Sequence, residues 1–138
     1  MKLVLFALVA LAPIAGAAIP ATCADPCMVS SSALAFVLPA TTIASGTSVS
    51  WISIDGGHVI ADGVTPASSG SCLQHLGYNA VDPTTPATLT IVDGALVSTV
   101  DGRDATCTSA TALPTGDIAL PYFCTLHANM RGVLVVSP

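Results

Sequence analysis

The stretch Cys124-Thr125-Leu126-His127-Ala128-Asn129-Met130 places a thiol, an imidazole and a thioether on one short segment, and a second imidazole, His58, stands far upstream. Two imidazoles and one thiolate in a roughly trigonal plane, with a long thioether contact from the side, are the donor set of a blue-copper centre. Such a set suits copper in both oxidation states. Each residue also has a plainer reading: a buried free or disulfide-bonded cysteine, a turn histidine after Asp55-Gly56-Gly57, a methionine filling the core. The spacing of three donors within one loop favours His58, Cys124, His127 and Met130 as metal ligands. His75, beside Cys72 in a polar stretch, reads as solvated, and Trp51 as core.

These donors need elements to bring them together. Thr47 to Ile54 reads as a strand with Val49, Trp51 and Ser53 on one side, and Asp55-Gly56-Gly57 as a turn that leads into His58-Val59-Ile60. Ala33 to Leu38 reads as an earlier strand stopped by Pro39. From Ala61 to Pro86 the chain is rich in Ser, Gly, Asp and Pro and reads as a loop region, with one irregular helical turn around Leu73 to Leu76. Ala87 to Val92 and Ala95 to Val100 flank Asp93-Gly94, a hairpin signal. A second loop, Asp101 to Gly116, precedes a strand from Ile118 to Cys124, the donor loop, and a last strand from Gly132 to Val136. Short strands at this spacing describe an all-β fold, an antiparallel Greek-key β-sandwich.

Composition narrows the class of protein. Only Lys2, Arg103 and Arg131 are basic, all eight acidic residues are Asp, and the formal net charge is −5. So few cations cannot neutralise a phosphate backbone, which excludes nucleic acid as a partner. Met1-Lys2, the apolar run Leu3 to Ile14 and the small residues Ala15-Gly16-Ala17 read as a secretory signal peptide over residues 1–17. The run is too short to span a bilayer, which takes roughly 20 residues. Residues 18–138 then form one domain, a monomer exported to an extracytoplasmic space, without stable membrane insertion. A lipid anchor on Cys23 is disfavoured by the residues before it, Ile19-Pro20-Ala21-Thr22.

Five cysteines in an oxidising compartment leave one over. If Cys124 binds metal, the favoured disulfides are Cys72 with Cys107, both in turn-rich connections, and Cys23 with Cys27 as a local clip; the sequence leaves the connectivity open. A half zinc site at Cys23 and Cys27 has no histidine pair nearby to complete it.

Two segments carry a family resemblance: Gly46-Thr47-Ser48-Val49-Ser50-Trp51 leading to His58, and Tyr122-Phe123-Cys124 through His127-Ala128-Asn129-Met130 to Val136. They resemble the cupredoxins, in particular the small plastocyanin, amicyanin and halocyanin group, and the two-residue gap between His127 and Met130 is the shorter, amicyanin-type loop. The resemblance implies one type 1 copper per chain, held by His58, Cys124, His127 and an axial Met130. It also implies one-electron transfer to transient redox protein partners through an apolar surface formed by Leu126, His127 and Ala128. Two positions depart from the family pattern: Val59 stands where many relatives have Asn, and Leu126 where a proline is frequent. Both bear on the outer contacts that set a metal's properties.

An enzymatic role is not expected. A multicopper oxidase or nitrite reductase needs further centres built from more histidines, and the chain has three. The competing reading is a non-redox module of the same fold, for copper delivery or for structure. Delivery proteins expose Met- or His-rich tracts, which this sequence lacks.

Overall fold

A computed structural model describes residues 20–127 and 129–138. The segment 1–17 read as a signal peptide, and Ala128 of the expected electron-transfer surface, lie outside the described residues. Thirteen strands run through the described chain: β1 (Ala21–Thr22), β2 (Cys27–Ser32), β3 (Ala35–Phe36), β4 (Ala40–Ala44), β5 (Thr47–Ser53), β6 (His58–Asp62), β7 (Leu76–Tyr78), β8 (Ala87–Val92), β9 (Ala95–Val100), β10 (Arg103–Thr106), β11 (Thr111–Ala112), β12 (Ile118–Cys124) and β13 (Arg131–Ser137). Among the described residues no helix is long and apolar enough to cross a membrane.

The strands form two sheets, in the orders β1-β4-β13-β12-β6-β7, with β11 also on β12, and β10-β9-β8-β5-β2-β3. The β-sandwich expected from the sequence is the fold, but its sheets are mixed: β1 with β4, β4 with β13 and β2 with β5 are parallel pairs. The cause lies at Ser45-Gly46. This turn does not close a hairpin within one sheet. Ser45 donates its N–H to the Ser137 carbonyl at 2.7 Å and Gly46 to the Leu89 carbonyl at 2.7 Å, so the chain steps from one sheet to the other. β4 and β5 therefore each lie beside a strand from elsewhere that happens to run the same way.

Local chemistry accounts for the hairpins. Asp93 and Gly94 have φ of 49° and 78°, and β8 pairs with β9 in the register Val92 to Ala95. Two consecutive left-handed residues are what a two-residue turn between twisted strands requires. Asp101-Gly102 repeats it, with φ of 49° and 71°, and joins β9 to β10 inside the stretch read as a loop.

Between the sheets lies one apolar core. Trp51 of β5 and Tyr122 of β12, from opposite sheets, are both buried and meet edge to face with centroids 5.4 Å apart, and Phe36 packs on Tyr122 at 4.8 Å. Such contacts add about 0.5–1.5 kcal/mol each to the burial itself. Cys23 is bonded to Cys27 and Cys72 to Cys107. The first clips the chain just ahead of β2. The second ties the turn before β7 to the connection between β10 and β11.

A candidate metal centre at one end of the sandwich

Strand register decides which side chains can meet. On β12 the alternate residues Ile118, Leu120, Tyr122 and Cys124 are buried, and Cys124 stands opposite Ile60 of β6. Directly paired residues share a sheet face. Two residues before Ile60, His58 therefore lies on that same face at the end of β6, and it is paired in turn with Tyr78 of β7. The Tyr78 ring stacks on the His58 imidazole, with centroids 5.1 Å apart and planes 28° from parallel.

The third donor comes from the connection between β12 and β13. Phe123 pairs with Arg131, so the seven residues between them form the loop that closes this hairpin. Two backbone bonds fold it: the Cys124 N–H donates to the Met130 carbonyl at 3.0 Å and the Met130 N–H to the His127 carbonyl at 2.9 Å. A third bond, from Thr125 N–H to the Val59 carbonyl at 2.8 Å, ties the loop to the strand that carries His58. The residue that departs from the family pattern thus pins the loop through its backbone.

The result is a triangle of donor atoms. Cys124 Sγ lies 3.6 Å from Nδ1 of His58 and 3.6 Å from Nδ1 of His127, and the two Nδ1 atoms are 3.2 Å apart. A point equidistant from the corners of a triangle with those three sides lies about 2.0 Å from each. That matches metal–imidazole bonds of about 2.0–2.1 Å and falls a little short of a metal–thiolate bond of about 2.3 Å. Cys124, His58 and Met130 are buried, and His127 is partly exposed. Among the described residues this is the one cluster of His, Cys and acidic groups able to hold a metal ion, and Cys124 is the one free cysteine.

Solved structures similar to this chain include amicyanins. The reduced state of a proline-to-phenylalanine amicyanin variant is 18% identical, with 80% of each chain covered and a TM-score of 0.49. A reduced tryptophan-to-tyrosine amicyanin variant is 17% identical over 82% of this chain and 83% of that one, also with a TM-score of 0.49. Amicyanin from Paracoccus versutus is 18% identical over 82% of each chain, with a TM-score of 0.41. No protein-family model matches the chain, and no curated protein matches it.

The structure gathers His58, Cys124 and His127, and places Met130 buried at the end of the same loop. Leu126, one residue before His127, is 62% exposed. His75 is exposed and apart from the cluster. Sequence reasoning missed two residues that touch His58. Tyr78 lies in a stretch read as loop, because the three residues of β7 are too few to show a periodicity. Burial pushes its phenol up to about 12, with its hydroxyl donating to Ser31 Oγ at 3.2 Å as a smaller opposing influence. Asp55 reads in the sequence only as a turn residue, yet its Oδ1 stands 3.7 Å from Nε2 of His58. The Asp55 carboxyl is held below the usual range, first by the Ser53 hydroxyl and next by the Ala33 N–H.

Proposed function

We propose that the protein is a cupredoxin-type one-electron carrier holding one type 1 copper per chain, exported from the cytoplasm and working with transient redox protein partners. The donor triangle carries this reading: a cysteine sulfur and two imidazole nitrogens already spaced for a metal of about 2.0 Å bond length, with Met130 buried at the end of the same loop. Hard cations take oxygen donors and structural zinc takes four N, S or O ligands. A His₂Cys set with a soft thioether available from the same loop points to copper.

His58, Cys124 and His127 would hold the ion in the plane, with Met130 as the axial donor. Bound there, copper supplies the exchange of one electron between its two oxidation states. The protein's part is to keep the donors still. His58 is fixed at a strand end between β12 and β7, Cys124 at the end of a central strand, and His127 and Met130 by two backbone bonds within the loop. Donors that move little between oxidation states keep the reorganisation barrier low. His127 is the partly exposed one of the two imidazoles, and exposed Leu126 beside it offers an apolar contact for a partner. Small contact areas suit a carrier that must dissociate after each exchange.

Burial of two donors supports this reading over a delivery role. Handing over a metal requires donors that an acceptor can reach, whereas Cys124 is 0% and His58 3% exposed. A potentiometric titration of the copper-loaded protein tests the proposal. A reversible one-electron transition is expected, and loss of the ion on reduction would contradict it.

A further inference from the structure

The His58 ring has two nitrogens with different surroundings. Nδ1 faces the Cys124 sulfur and His127 Nδ1, at 3.6 and 3.2 Å. Nε2 is buried and has no hydrogen-bond partner. A neutral imidazole carries one proton, so if Nδ1 offers its lone pair to a metal, the proton sits on Nε2. The polar atom facing that side is Asp55 Oδ1, 3.7 Å away across the tight turn between β5 and β6.

Asp55 is itself held from several directions. Ser53 Oγ donates to Oδ1 at 2.9 Å and accepts from the Asp55 N–H at 3.1 Å. Ala33 N–H, in the turn between β2 and β3, donates to Oδ2. Ser53 is fully buried, and Ala33 has a left-handed φ of 50°. A carboxylate that only capped its own turn would need no second donor from a separate hairpin. The bonds fix the carboxylate where it faces the orphan nitrogen. A shift of about 0.7 Å would bring the two within a hydrogen bond of ~3.0 Å.

We propose that Asp55 is the positioning residue of His58: its Oδ1 takes the Nε2 proton as acceptor, fixes the tautomer that presents Nδ1 to the donor triangle, and sets a negative charge behind the most buried imidazole. The carboxylate–histidine pair is the arrangement that orients metal-ligating histidines generally. The tautomer part stands on this chain's geometry alone. The effect of the charge on a bound ion rests on the copper reading.

Nitrogen NMR of the metal-free protein at about pH 8, where an ordinary imidazole is neutral, reads the tautomer of each histidine. His58 is expected to carry its proton on Nε2. In Asp55→Ala, or in Asp55→Ser if the alanine variant does not fold, a substantial share moves to Nδ1. An unchanged His58 tautomer in the variant would overturn the proposal. In the copper-loaded protein, Asp55→Asn keeps an acceptor and removes the charge, and is expected to shift the Cu(II)/Cu(I) affinity ratio about tenfold toward Cu(I). For a one-electron couple that is a rise of about 59 mV. A potential that does not move would overturn the charge effect. Failure of the protein to bind copper would count against the carrier reading and leave the tautomer test standing.

Discussion

His58 and His127 present their Nδ1 atoms to each other at 3.2 Å across 69 positions of sequence. One is carried by a strand end, the other by a loop, and neither element pairs with the other along that reach. What brings them together is β12: Ile60 is registered against Cys124, and the loop that follows Cys124 is bonded back to Val59. Position is thus set by the sheet, and the thiol falls between the two imidazoles.

If exposed Leu126 is where a partner touches, adding charge there slows encounter without altering the donors. Leu126→Asp on this already acidic chain is expected to reduce the self-exchange rate of the loaded protein about tenfold at low salt. Its spectrum and potential should stay unchanged. A shifted potential would show that Leu126 acts on the site itself.

Gly132 faces Tyr122 across β13 and β12, and a Cβ built on it would lie 2.3 Å from Tyr122 Cζ and 2.4 Å from its hydroxyl oxygen. Tyr122 cannot retreat, because Trp51 and Phe36 pack on it. Gly132→Ala should therefore cost about 1–3 kcal/mol through overpacking, measurable by denaturant unfolding of the metal-free protein. A neutral result would mean that the two sheets part more easily than the packing indicates.

Alkaline pH should loosen the core through its two tyrosines. Burial raises both phenols, Tyr78 to about 12 and Tyr122 in the same direction. A group whose folded value is raised stabilises fully below its unfolded value, about 10 for tyrosine, and that contribution is lost as the pH rises through the folded value. Stability is expected to fall between pH 10 and 12, with a shallower slope in Tyr78→Phe. An identical slope in that variant would contradict the assignment.

Where local chemistry decided the structure, the sequence was readable. β8, its Asp93-Gly94 turn and β9 follow from strand alternation and a turn type that only certain residues adopt, and Cys124 ends β12 where the alternation says it should. Ala33 to Leu38 misled because it is apolar, yet Ala33 and Leu34 are left-handed turn residues and Val37 is 58% exposed. Within that stretch only Ala35–Phe36 is strand, as β3, and the longer strand just before it, β2, buries Ser31 beside Val29, so its inward face carries a polar residue. β10 is an exposed edge strand with no apolar stripe to announce it. The parallel pairs were hidden because a turn signal at Ser45-Gly46 does not say which sheet each arm enters. At the candidate metal centre, the spacing of Cys124, His127 and Met130 on one segment pointed to the loop that the structure folds beside His58. Asp55 and Tyr78 were not legible, since their contacts with His58 depend on ring orientation and on the pairing of a three-residue strand.

The visible and electron paramagnetic resonance spectra of the protein, disulfides intact, with one equivalent of Cu(II) beside a Cys124→Ser control, test the central claim most directly. An intense blue thiolate-to-copper band with small hyperfine splitting is expected, absent from the control. A colourless or pale protein, or a spectrum that the Cys124→Ser variant shares, would contradict it.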